Sequence, residues 1–279
     1  MQFEKCSIQR PKKIPNHDGN WTETSIIDDE IVQEIAREQK ANIFITDEAA
    51  AAIMCSTKAV YSWDVCIKKF QNMLFIDKRD EEGSQNMLDC QIVSETALPD
   101  YTPIDDDSIN GTRQLMKETA KIHTNLLQFC QDSKKFTEMA RDDPHEEAED
   151  QKMLRLGYKY KLFSLGANMK VCIRCQNHYF NETSSEGLSN LFILLEWNLK
   201  RQGWTKELDQ MTTVMFNKEL SDNASKFNRW TMQSIIAGVD KMRFAFVQRT
   251  NLASNKAHNV VGFISVKPEA FAGQINLNI

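Results

Sequence analysis

No apolar run in these 279 residues approaches the roughly 20 needed to cross a bilayer, and no secretory leader opens the chain. A membrane-spanning or exported protein is not expected; a cytoplasmic one is. There is no Gly-rich phosphate loop, and no Ser/His/Asp arrangement stands out. The five histidines (17, 123, 145, 178, 258) are scattered without metal-ligand spacing. The seven cysteines are odd in number and dispersed, as suits reduced, buried thiols. Cys172 and Cys175 form a Cys-x-x-Cys, but within an alternating strand their odd offset sends the side chains to opposite faces, so both are read as structural.

What is present is enough apolar residue, 41%, for one large core or two modest ones. The formal charge of −5 hides an asymmetry: residues 151–279 hold 17 Lys and Arg against 9 Asp and Glu, and residues 1–150 hold 17 against 30. An anionic ligand on one side and a partner surface on the other would suit that division, although ordinary solvated faces explain it as well.

Residues 1–26 read as an extended arm and residues 27–279 as one domain. Asp28 and Asp29 cap a first helix, Asn42–Thr46 is a strand, and Thr46 or Asp47 caps a helix through the alanine run 49–52. Trp63–Phe70 and Leu74–Ile76 are strands about a turn at Gln71-Asn72, and Cys90–Thr96 is another. The Asp-rich stretch 99–111 precedes a long helix from Thr112, and 142–150 is an acidic insert. Tyr158, Tyr160 and Leu162, then Val171, Ile173 and Cys175, alternate about a turn at Gly166-Ala167-Asn168. That hairpin would turn an apolar face to the core and a cationic face outward or toward a cleft. Leu188–Trp197 is nearly all apolar and so central.

Glu219 to Arg249 organises this reading. Val214–Glu219 reads as a strand, Phe227–Gly238 as a helix stopped by its glycine, and Met242–Val247 as a second strand, which together make a βαβ unit. The fold class expected is α+β, or mixed α/β, a single domain of mixed sheets with flanking helices. Glu196 and Asn198 would share one face at one strand end, and Glu219 and Ser221 at another. Fully acidic, two such pairs would clamp divalent metal for phosphodiester chemistry. Each is half empty, and Lys161 adds a cation, so neither metal nor cofactor is expected. Taken singly, each glutamate is better read as a surface residue at a strand end, and His123 as a half-buried polar residue rather than a ligand. Tyr61, Trp63, Trp197, Trp204 and Trp230 are plausible core residues. A methylated guanine would nevertheless need an aromatic sandwich, a carboxylate and phosphate-binding cations, and all three ingredients lie near the same cleft.

Val60-Tyr61-Ser62-Trp63-Asp64, Leu74–Asp80, Val93–Thr96, Arg229-Trp230-Thr231 and Phe271–Leu277 stand in an order that resembles the D-subunit family of eukaryotic translation initiation factor three, from about residue 28 onward. The resemblance implies a domain that binds the 5′ cap of messenger RNA, with other subunits of the factor and the small ribosomal subunit as partners and no membrane. It implies cap contacts at Asp47, Val60 and Tyr61 and at Thr119 and His123, where Ile122 replaces a customary asparagine. It also implies a gating insert, for which 99–111 or 142–150 would serve.

The domain is similar in turn to decapping exoribonucleases, on Gly157–Lys161, Glu196-x-Asn198, Glu219-x-Ser221 and Gln233-Ser234. Lys161, Asn198 and Ser221 stand where those enzymes carry Glu, Asp and Lys, so binding without catalysis is expected. A metal-dependent decapping nuclease and a purely architectural subunit with a decayed pocket are the alternatives.

Overall fold

A computed structural model describes residues 4–16, 24–59, 63–78, 108–131, 157–181, 187–197 and 203–278. In chain order these form β1 (Glu4–Lys13), α1 (Glu30–Arg37), β2 (Ile43–Thr46), α2 (Asp47–Met54), β3 (Cys66–Phe70), β4 (Met73–Asp77), α3 (Thr112–Gln131), β5 (Gly157–Ser164), β6 (Lys170–Asn177), β7 (Tyr179–Asn181) and β8 (Gly187–Glu196). They continue with α4 (Trp204–Gln210), α5 (Thr212–Asp222), α6 (Ala224–Ala237), β9 (Lys241–Asn251), β10 (Ser254–Val266) and α7 (Pro268–Gln274). The strands build two mixed five-stranded sheets, ordered β1-β10-β9-β8-β7 and β3-β4-β2-β6-β5.

The helix starts follow local chemistry. Asp29 accepts the N–H groups of Ile31 and Val32 at the head of α1, and the Thr46 hydroxyl accepts that of Ala49 at the head of α2. Gly238, at φ 67°, closes α6 in the left-handed conformation that a side chain disfavours.

Helices α6 and α7 are shared by both sheets. On one side Phe227, Trp230 and Phe271 pack with Phe192, Leu194, Phe244 and Phe246 of the first sheet and with Met215 and Phe216 of α5. On the other, Met232, Ile236 and Ala272 pack with Ile45, Val171 and Cys175 of the second sheet and the alanines of α2. The outer face of the first sheet is covered by Ile122, Leu126 and Leu127 of α3; that of the second lies under α1, with Val32, Phe44, Phe75 and Cys172 together. Eleven of the fourteen residues of α6 are buried. It is therefore a core helix with no solvated face wide enough for a regular amphipathic pattern. Cys172 and Cys175 do fall into different clusters, and burial pushes their thiols up to about 11 and about 12.

The expected strand at Val214–Glu219 lies within helix α5 instead. Thr212, Thr213 and Val214 suggest β structure, but burial, full or partial, recurs at Thr212, Met215, Phe216, Glu219 and Leu220 with exposed residues between, the spacing of one helical face. The βαβ unit exists with a different first strand: β8 runs parallel to β9, and α4, α5 and α6 form the crossover. Residues Glu4–Lys13 of the arm form β1, paired antiparallel with β10. Trp63, read as core, is exposed because it precedes β3, an edge strand. In the β5–β6 hairpin, Lys159 and Lys161 pair in register with Cys175 and Ile173 and so share the face turned toward α6; Leu162 is exposed rather than core. The expected strand at 90–96, the stretch 99–107, the insert 142–150, and residues 154–156 lie outside the described residues, as do Val60, Tyr61 and Asn198.

Candidate functional site

Glu196 is the last residue of β8, as expected, but its carboxylate is engaged. Its Oε1 accepts the N–H of Gly203 at 2.8 Å and of Trp204 at 3.2 Å, at the head of α4. Burial raises its pKa, while those two backbone bonds pull the other way and Glu207 adds to the rise. Opposite Glu196 on β9 stands Gln248, whose Oε1 accepts from the Thr205 hydroxyl at 2.9 Å. Glu219 is not at a neighbouring strand end. It is a half-buried residue of α5, and its Oε2 accepts from Nδ2 of Asn223 at 3.2 Å. The expected pairing of Glu196 with Glu219 at neighbouring strand ends is thus not formed; beside Glu196 stand Gln248 and, near enough for its charge to be felt, Glu207. Among the described residues no three His, Cys, Asp or Glu side chains are grouped to hold a metal ion. Gln233 is buried within α6. Lys161 lies at the C-terminal end of the same helix: a Cβ on Gly238 would meet its Nζ at 2.8 Å. An ammonium there suits the helix dipole.

The nominated patches are built into the packing. Asp47 opens α2, buried, and its Oδ2 accepts the Gln176 N–H at 2.9 Å, tying α2 to β6. The Thr119 hydroxyl donates to the Leu115 carbonyl one turn back at 2.7 Å. His123 faces β8, where Nε2 donates to the Leu191 carbonyl at 2.8 Å, and Nδ1 of His178 accepts the Leu191 N–H at 2.8 Å. The pairing of β7 with β8 ends at Tyr179–Ser189, so two imidazoles serve the strand where β7 no longer does. Burial lowers both pKa values, to about 4 for His123 and about 3 for His178.

What lies between these patches is the N-terminal half of α6, which sequence reasoning did not single out. The Ser225 hydroxyl donates to the Lys58 carbonyl at 3.1 Å, two residues before Val60. Arg229 is close enough to Cys55 for its charge to counter the burial that raises that thiol. Lys226 sits 4.9 Å over the Trp230 ring, and its charge helps depress His123. The α2 side and the α3 side of the expected site are therefore joined through Ser225, Lys226 and Arg229, three cation or hydroxyl side chains on two helical turns. The one sequence signal for them is the Arg229-Trp230-Thr231 motif.

A second buried cluster also escaped notice. Glu118 of α3 accepts from Arg249 Nε at 2.7 Å and Nη2 at 2.5 Å, and pairs with His258 Nε2 at 2.8 Å. Burial acts to raise the Glu118 pKa, but these partners outweigh it and hold the carboxyl below its usual range. Arg249 also donates to the Asn110 side chain and the Ile109 carbonyl, so the cluster fixes the approach to α3 on β9 and β10.

A family model described as eukaryotic translation initiation factor 3 subunit 7 (eIF-3) matches residues 1–279. The chain is 34% identical over 282 residues to the Arabidopsis thaliana protein named as the D subunit of eukaryotic translation initiation factor 3, covering 99% of this chain and 46% of that one. It is 31% identical over 289 residues to the D-2 subunit of the same factor from Drosophila grimshawi, covering 100% and 50%. The chain spans about half the length of the curated relatives it matches. Among solved structures it superposes on Candida albicans Rai1, crystallised with pU5-Mn2+, at a TM-score of 0.51 and 11% identity, covering 98% of this chain and 69% of that one. That likeness is one of fold.

Proposed function

Because the chain belongs to the eukaryotic translation initiation factor 3 subunit 7 family, whose curated relatives are named as the factor's D subunit, we propose that it is an RNA-binding subunit of that factor. In this reading it holds the 5′ cap of messenger RNA during initiation on the small ribosomal subunit, in the cytoplasm, among the factor's other subunits, and it does not cut RNA.

The observation that supports cap binding is the cationic half of α6 between the two nominated patches. Arg229, half-buried, and Lys226, buried over the Trp230 ring, stand between the Lys58 end of α2 and the His123 face of α3. A triphosphate bridge needs cations within reach of both the base and the following nucleotide, and arginine is suited to phosphate by its planar fork. In this scheme the exposed Trp63 offers the base an aromatic face, and Val60 and Tyr61 keep the role the resemblance implies. Asp47 and His123 act by fixing α2 and α3 against the strands, and Thr119 is bonded within α3. Binding without cleavage is supported by the engagement of Glu196, whose carboxylate accepts the N–H groups at the head of α4 and which stands opposite Gln248.

The test compares capped and uncapped RNA of one sequence by fluorescence anisotropy. The expected result is preference for the cap, lost in part by Arg229→Ala, which removes about 1 kcal/mol or roughly fivefold in affinity. Equal affinity for both RNAs overturns cap recognition. Incubation of capped RNA with Mg²⁺ or Mn²⁺ tests the other half: release of a cap fragment above that of buffer overturns the non-catalytic reading.

A further inference from the structure

The β5–β6 hairpin spends packing area on exposure. Leu162 is 52% exposed, Phe163 43%, Leu165 64% and Met169 42%, so four large apolar side chains gather at one tip. The register Leu162–Cys172 and Phe163–Val171 places Leu162 on the α1 face of the sheet and Phe163 on the α6 face, so a strand added at this edge would meet an apolar side chain on either face. The turn between them is held firmly in place. Gly166, Ala167 and Asn168 all adopt positive φ (82°, 44° and 64°), two of them without glycine's freedom. Asn42 moors the turn from β2's side: its Nδ2 donates to the Asn168 carbonyl at 2.7 Å and its Oδ1 accepts the Lys170 N–H at 2.9 Å. A strained turn, fixed by three backbone and side-chain bonds from a neighbouring strand, is built to present this apolar tip.

Two further features say what it is presented to. β5 is the terminal strand of its sheet among the described residues, so its outer edge offers backbone N–H and C=O groups to an incoming strand. From Gly157 to His178 the sequence carries Lys159, Lys161, Lys170 and Arg174 and no Asp or Glu; Lys159 and Lys170 are exposed. Arg174 is buried and paired with Asp29, so the exposed charge of the hairpin is that of Lys159 and Lys170, and two lysines beside exposed aliphatic side chains fit an extended polypeptide in which acidic and apolar residues alternate. RNA is the poorer fit, because bases stack on aromatic rings and three of the four tip residues are aliphatic.

We propose that the β5 edge and its tip dock an extended, acidic and apolar segment of another subunit of the same factor by strand addition. The docking rests on the family reading above for the presence of such subunits, and it is separate from the cap site.

The experiment places photoreactive benzoylphenylalanine at position 165 in the full protein assembled into initiation factor 3, irradiates the purified assembly and maps adducts by mass spectrometry. Adducts should concentrate on one extended, Asp- and Glu-rich stretch of another subunit. Lys159→Glu combined with Lys170→Glu should cut their yield by about fivefold or more, with the thermal midpoint and the capped-RNA affinity unchanged. Adducts on RNA alone, adducts confined to this chain, or no adduct in an assembly that contains the chain each overturn the docking surface and leave the initiation-factor reading intact. A chain that never enters the assembly overturns that reading, and this one with it.

Discussion

Leu191 has both of its backbone groups served by imidazoles, which fixes the role of one nitrogen in each ring, while burial favours the neutral form of both. His178 accepts at Nδ1, so a proton there would break the bond; His123 donates at Nε2 and is fully enclosed. Both folded pKa values lie below the ordinary 6.5, at about 3 and about 4. The unfolded chain therefore takes up protons first: stability is full above pH 6.5 and falls as the pH drops toward 4. Between pH 7 and pH 5.5 each histidine should remove about 1 kcal/mol. His123→Gln keeps a side-chain donor and should flatten the profile by about one proton, read from urea unfolding at several pH values. An unchanged slope would mean that His123 is already exposed to protons in the fold. The Glu118 cluster gives a second residue-scale expectation. Arg249→Met leaves Glu118 buried beside His258 alone and should cost about 3–5 kcal/mol. Arg249→Met together with Glu118→Leu should recover a good part of it, because the stranded charge goes too. A double variant no more stable than the single one would show that the pair acts only through packing.

Among the elements, α6 decides most, and its end is the cheapest place to test it. Gly238→Ala puts a side chain at φ 67° and moves Lys161 Nζ from 2.8 Å away. The lysine tip yields easily; the backbone does not, so a loss of about 1 kcal/mol is expected, with Gly238→Asn costing less. Equal losses for the two would point to Lys161 rather than to the backbone. This stop was legible in the sequence, as were β2, β9, the β5–β6 turn and the caps at Asp29 and Thr46, because each is written in residues close along the chain. Helix α5 was not. Its first turn carries three β-branched residues, and only the recurrence of burial every three to four residues, from Thr212 to Leu220, reveals the helical face. The candidate site was legible in part for the same reason. Residue types such as Glu196 at a strand end and Arg229 in a motif can be read locally, whereas the pairing of Glu118 with Arg249, 131 residues apart, and of Glu196 with Gln248 is a product of sheet register. Misplacing one strand moved Glu219 beside Glu196 on paper and left Gln248 unnoticed.

At the scale of the molecule, a helix buried between two sheets makes each sheet depend on the other. Phe227 is fully buried and touches the rings of Phe216, Trp230, Phe244 and Phe271, while two turns on the same helix Ile236 packs with the second sheet. Phe227→Ala should cost about 3–5 kcal/mol as a large-to-small change in a close-packed core. The more telling expectation concerns where that loss is felt. If α6 couples the layers, the variant should lower protection against hydrogen exchange in β2 and β6 as much as in β8 and β9, in one cooperative unfolding step. Protection that falls only in β8 and β9 would mean that the sheets open separately and that α6 belongs to the first alone. The same coupling bears on function, since Ser225, Lys226 and Arg229 ride on the helix that holds the sheets together. A sheet opening independently would carry the α2 side of the site away from the α3 side, and a single ligand could not then hold both.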